Sequence, residues 1–168
     1  MDVTTAPAPA RIRPVAPIAR VPVGVVTALL AIPLVLTANR YGYFGDELYF
    51  LAAGRHLAWG YVDQPPLLPL LARTMDALGH TPFVLRIPAT LAVLGGAVLT
   101  ALIARELGGA ARAQTLAAAA FAVSTEFLAG GHYLATSTVD PFLWTLLLWL
   151  LVRWLRTRAD GLLVWAGV

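Results

Sequence analysis

The chain contains no cysteine and no lysine, and only 12% of its 168 residues are charged. Without cysteine there are no disulfides and no thiolate metal sites. All twelve basic residues are arginine, and the net charge of +3 is too small and too dispersed for a nucleic-acid-binding surface. A soluble domain carries about a quarter charged residues. Four apolar runs account for the shortfall.

Residues 21–38 and 87–104 carry no charge, and each is long enough to cross a bilayer as a helix, which takes about 20 residues. Residues 115–134 are interrupted only by Glu126 and a polar Gly130-Gly131-His132 end, while residues 141–152 are Trp- and Leu-rich but a little short. In lipid, only a helix among open structures satisfies its own backbone. The expected fold class is therefore all-α: polytopic membrane helices with four complete spans and, from Leu162, the start of a fifth. The first run exceeds the apolar core of a signal peptide and lacks the small residue expected three before a cleavage point, so it reads as a retained anchor. Seven apolar residues after Gly161 cannot cross a membrane, and the chain reads as an N-terminal fragment. The Pro/Ala-rich stretch 4–17 has no apolar periodicity and is expected to be extended or disordered within a tail of residues 1–20.

Arginine excess marks the cytoplasmic side. Arg11, Arg13 and Arg20 precede the first run; Arg105 and Arg112 lie in the loop 105–114; Arg153, Arg156 and Arg158 lie in 153–161. Residues 39–86 balance four Arg with four acids, and 135–140 hold one acid and no Arg. The alternation places the N-terminus inside and residues 39–86 outside, in an integral membrane protein expected at the plasma membrane.

That 48-residue outer loop is too long for a plain connector. It opens with "YFGDELYF", two adjacent carboxylates among aromatics. Two helices are expected in it. One runs from Asp46 to about Trp59, ended by Gly60; the other starts near Pro65-Pro66 and runs to Leu78, ended by Gly79. The second places Leu67, Leu68, Leu70, Leu71, Met75 and Leu78 on one side, with Arg73 and Asp76 opposite, as in a helix lying along a membrane surface. Asp46 suits an N-cap of the first helix, and a cap can also hold a catalytic carboxylate in place. Glu47 points about 100° away from it. Asp140, before Pro141 at the start of the fourth run, is likewise both a cap and a site candidate. Charge topology puts Asp46 and Asp140 on one face, where two carboxylates could serve proton abstraction or a divalent cation.

Glu126 lies about 18 Å up a helix from Gln114 and is a functional suspect or an interfacial residue. His132 has no partner His at ligand spacing. Arg55 and Arg86 are outer-face cations, anchors at headgroup level or phosphate contacts. Gly95-Gly96 and residues 117–120 are close-packing positions between spans.

The aromatic-Gly-Asp-Glu run after the first span, then "GYVDQPPLLPLL", then "RIPATLAVLGG" resembles the N-terminal part of the family 39 type glycosyltransferases. These are the dolichyl-phosphate-mannose protein mannosyltransferase-like and aminoarabinose-transferase-like membrane enzymes of the GT-C fold. The similarity runs from about Val21 to the end of the chain. It implies a transferase with a polyprenyl-phosphate sugar as donor, acting on the non-cytoplasmic face on an acceptor protein, lipid or glycan. The family's essential first-loop Asp maps to Asp46, with Glu47 beside it, and Asp140 matches a second acidic position. The aminoarabinose branch has Lys where this chain has Gln64, which departs from that branch's donor contacts. The expected catalytic set is thus Asp46, Glu47 and Asp140, and the substrate-binding set Arg55, Asp63, Gln64, Arg86 and Glu126. No cofactor is required by the resemblance; a divalent metal cation is left open, with Asp46, Asp140 and His132 as candidate ligands.

A phosphate leaves as a stable anion and needs no general acid, so one carboxylate suffices as base, unlike the carboxyl pair of glycoside hydrolases. The charge developing on phosphate calls for Arg or a metal nearby. Two rival readings stand beside this one. A transporter or channel subunit would use Asp46, Glu126 and Asp140 as an ion path, and an inert truncated membrane protein would do nothing alone.

Overall fold

The computed structural model describes residues 15–167, and among these the secondary structure is helix throughout. Three helices are long and apolar enough to cross a bilayer: α1 (Arg20–Thr37), α4 (Pro82–Glu106) and α7 (Thr136–Thr157). α1 matches the first predicted run to within one residue, and α4 and α7 extend the runs at 87–104 and 141–152. α4 begins five residues earlier than expected, because Pro82 sits in the first turn and the Thr81 hydroxyl accepts from Val84 N–H as an N-cap.

The run at 115–134 is not one helix. It divides into α5 (Ala111–Ala122) and α6 (Thr125–Gly130), with Ser124 in an extended conformation between them. Ser and Thr favour helix starts over interiors because their side chains compete for backbone groups. Phe121 and Phe127 stack across the break, ring centroids 3.9 Å apart, and hold the two pieces together. The stretch still runs the length of α1. At one end the Gln114 carbonyl accepts from Ala19 N–H; at the other, Thr37 Oγ1 meets His132 Nδ1, both at 2.9 Å. The span count is therefore three by length and apolarity, with a broken fourth passage alongside. α8 (Gly161–Gly167), where a fifth span was expected to open, has seven residues.

Small residues set the helix spacing. Ala19, Val23, Ala101 and Ala118 form one buried cluster where α1, α4 and α5 meet. A Cβ at Gly96 would lie 2.5 Å from Phe121, and one at Gly95 2.7 Å from Phe142. Those two glycines let α5 and α7 approach α4, in keeping with the close-packing role of small residues between membrane helices.

Polar knots tie both ends of the bundle. At one end Glu106 closes α4 and is paired with Arg105 and with Arg156 of α7. Beside it, Arg105 donates to the Ala16 carbonyl, and the buried Gln114 amide donates to the carbonyls of Pro17 and Gly109. The three Arg-rich segments thus share one end. Most of the Pro/Ala-rich stretch lies outside the described residues, but Ala16 and Pro17 are bonded in place.

The opposite end is capped by α2 (Gly45–Gly54) and α3 (Leu67–Leu78). Phe50, Leu68, Ala72, Leu85, Leu134 and Val139 form its core, drawn from both caps, from the first turns of α4 and α7 and from the turn before α7. α3 has the predicted extent, with Gly79 at its C-cap. α2 stops at Gly54, well short of Trp59. α3 crosses there: a Cβ on Gly54 would fall 2.8 Å from the Pro69 carbonyl, and Arg73 donates to the Gly54 carbonyl at 3.1 Å.

Candidate functional site

The two acids of "GDEL" have opposite fates. α2 starts at Gly45 with Phe44 as N-cap, so Asp46 stands at the second helical position and is not the cap. Glu47, at the third, reaches back and accepts from Phe44 N–H at 2.9 Å. Its carboxylate is fully buried and meets the equally buried Arg86, Oε1 to Nε and Oε2 to Nη2, both at 2.9 Å. Oε1 also accepts from Leu134 N–H at 3.1 Å. The remaining Arg86 donors go to the carbonyls of Ala38, Tyr41 and Gly42. A guanidinium has five N–H groups, and all five are engaged. Phe44 covers its face at 5.5 Å. Arg86, expected as a phosphate contact, has no donor left for one; it ties the end of α1, the start of α2 and the turn before α7 into one unit.

Asp46 is exposed, and its carboxylate bonds none of the described residues. With Tyr49 and Phe50 on the same face of α2, it lines a cleft of about 440 Å³. Asp63, Gln64 and Pro65 form a second wall, and Ala135, Thr136 and Ser137 the third. Tyr49 donates to Asp63 Oδ1 at 2.8 Å, and Gln64 reaches both Asp63 Oδ2 and Thr136 Oγ1 at 3.5 Å. The Tyr49 phenol lies above its ordinary range: the Gln64 contact pulls it down, but the bond to Asp63, desolvation and the Asp63 charge together outweigh that.

α7 starts at Thr136, a full turn before the expected cap at Asp140. Pro141 is therefore inside the helix, where its missing N–H leaves the Ser137 carbonyl without its helical donor. The N-cap is Ala135, whose methyl cannot accept a hydrogen bond, and the uncapped first residues of α7, Thr136 and Ser137, line the cleft. Asp140 is exposed and lines a small adjoining cavity of about 50 Å³ with Gln64, Pro65 and Thr136. The structure thus sets Asp46 and Asp140 in neighbouring hollows separated by Gln64 and Thr136.

The other candidates lie elsewhere. Glu126 is exposed in the first turn of α6, and Arg55, past the end of α2, is not among the cleft-lining residues. His132 bonds Thr37. Since the Thr37 hydroxyl donates to the Pro33 carbonyl at 2.6 Å, its oxygen accepts from His132 Nδ1–H. Burial, and then the charge of Arg86, push this imidazole below its ordinary range. Among the described residues no three His, Asp or Glu side chains come together. The candidate cation set of Asp46, Asp140 and His132 therefore does not converge, and a neighbouring guanidinium opposes a cation at His132.

Tyr49, Thr136 and Ser137 were not singled out from sequence. Tyr49 had a signal: three residues from Asp46, it shares that helical face. Thr136 and Ser137 had none, because Asp140-Pro141 imitates a helix start one turn further on.

A family model described as dolichyl-phosphate-mannose-protein mannosyltransferase matches residues 63–168, more than half of the chain. The match opens at Asp63, includes Gln64, Arg86, Glu126, His132 and Asp140, and stops short of Asp46 and Glu47. No curated protein matches the chain, and no solved structure does.

Proposed function

We propose, from the premise that this chain belongs to the dolichyl-phosphate-mannose-protein mannosyltransferase family of membrane glycosyltransferases, that the cleft at Asp46 is where sugar transfer takes place. The donor is a polyprenyl-phosphate-linked sugar, and the acceptor is a hydroxyl on a protein, lipid or glycan. The cleft faces the non-cytoplasmic side, since the Arg-rich segments gather at the opposite end of the bundle.

The carrying observation is the contrast within one dipeptide. Glu47 is buried and satisfied, while Asp46 stands open in a polar cleft with no hydrogen-bond partner among the described residues. Asp46 is the base. It takes the proton of the acceptor hydroxyl as that oxygen bonds to the anomeric carbon; the bond from that carbon to the phosphate oxygen breaks, and its electron pair leaves on the polyprenyl phosphate. Asp63, oriented by Tyr49 and Gln64, accepts hydrogen bonds from sugar hydroxyls. The open N-terminus of α7 places the positive end of its dipole against the cleft, where phosphate charge develops. Glu47 and Arg86 act as positioning residues that fix the helix carrying Asp46. The family match gives the transporter reading no support.

Cysteine-free sequence makes a direct test simple. Ser137→Cys, in the cleft wall, should react with a membrane-impermeant maleimide and be protected by a polyprenyl-phosphate sugar. Protection by the sugar donor supports the assignment; labelling at an unchanged rate in saturating donor contradicts it.

A further inference from the structure

Between α2 and α3 the chain forms a stiff apolar finger. Residues 57–62 read Leu-Ala-Trp-Gly-Tyr-Val and carry no charge. Trp59 is 98% exposed, Val62 is fully exposed and Leu57 about half. A loose loop in water would turn such side chains inward, but this one is pinned from beneath. The Tyr61 hydroxyl lies 3.0 Å from the Ala53 carbonyl and 3.1 Å from that of His56, and accepts from Ala58 N–H at 3.3 Å. Tyr61 N–H donates to the Gln64 carbonyl at 3.0 Å. The Tyr61 hydroxyl is spent inside the finger, and the apolar side chains of Trp59 and Val62 are left outside.

Trp59, Leu57 and Ala58 also enclose, with Pro66 and Leu70, an apolar hollow of about 370 Å³. Its location follows from Gln64, which touches Thr136 at the end of the α7 span. Val62 is two positions and Trp59 five positions before that contact, which keeps the finger close to the level at which α7 begins.

We propose that residues 57–62 form a membrane anchor, inserted into the headgroup–hydrocarbon boundary of the leaflet at the cleft end of the bundle. Trp59 leads, and an acyl chain fills the hollow beside it. The chemistry favours lipid as the occupant. An amphipathic indole with its N–H exposed suits the headgroup level; residues 57–62 offer no charge with which to select a protein surface; and Arg55 and His56 directly precede the finger, placed to meet lipid phosphates. Insertion would hold Asp63 and Gln64, the next residues along, at the lipid surface and so fix the height of the cleft above it. The proposal stands apart from any catalytic role of Asp46.

Val62→Cys is the test, because Val62 packs on nothing and the chain has no other thiol. A bimane label there, in phosphatidylcholine vesicles, is expected to be quenched by lipid carrying a doxyl group near the headgroup and shielded from iodide. Quenching by iodide without quenching by doxyl lipid would place the finger in water. Shielding from both would mean that protein covers it. Either result overturns the anchor. Trp59 gives an independent reading: with Trp144, Trp149, Trp154 and Trp165 replaced by Phe, its fluorescence should be quenched by brominated lipid, and fluorescence unaffected by that lipid counts against insertion.

Discussion

Glu47 and Arg86 lie 39 residues apart in the chain and meet carboxylate to guanidinium with neither exposed to solvent. The pair holds α1, α2, α4 and the turn before α7 at one point, and Asp46 is the neighbour it presents to the cleft. A buried pair is costly to halve, because the abandoned charge keeps its desolvation penalty. Arg86→Met should lower stability by about 3–5 kcal/mol. Lys at this position should rescue little, since a point charge cannot replace five directed donors. Thermal unfolding in detergent reads the loss. If Glu47→Leu with Arg86→Met is less damaging than either alone, charge burial rather than shape sets the penalty.

Gly96 makes a second, packing-based prediction. Phe121 is stacked on Phe127, so a Cβ 2.5 Å from its ring must either break that stack or push α5 from α4. Gly96→Ala should cost about 1–3 kcal/mol, in the range of overpacked cores. Phe121→Leu in the same chain should recover part of it, as measured by unfolding temperature.

His132 supplies a pH dependence. Its pKa is lowered in the folded protein, so between the folded value and the ordinary one near 6.5 the unfolded chain binds more protons. Stability therefore rises with pH across that window. The stabilisation is fully present above the ordinary imidazole value and is lost as pH falls toward the folded one. Unfolding temperatures taken from pH 7.5 down to 5 (an interval of about 2.5 units around that value) should show this decline. His132→Gln should flatten it.

Tyr49→Phe removes the hydroxyl that orients Asp63 and leaves the helix face unchanged. The expected result is weaker donor binding with little change in unfolding temperature, because the bond is solvent-exposed and water competes for both partners. Titration of donor protection at Ser137→Cys would measure it.

Much of this architecture was legible locally. Three uncharged or Trp/Leu-rich runs lie in helices long and apolar enough to cross a bilayer, Gly79 ends α3, and the Arg-rich segments share an end. Failures came where local rules had two solutions. Asp140-Pro141 and Asp46 both read as helix starts, yet α7 begins at Thr136 and α2 at Gly45, because Arg86 and Glu47 fix the backbone on either side. The fusion of α5 with α6 into one predicted span followed from apolarity alone, and Ser124 was too weak a break to register. Periodicity did separate Glu47 from Asp46 by 100°, but burial of the first depended on an arginine far along the chain. No local pattern contains that distance.

The central claim is that Asp46 removes the acceptor proton, and turnover of an Asp46→Asn variant with a polyprenyl-phosphate sugar tests it most directly. The substitution keeps size and helix position, so unfolding temperature should match the parent while transfer falls about 10²–10⁴-fold, the usual contribution of a positioned base. Parental rates from a folded Asp46→Asn protein would contradict the assignment.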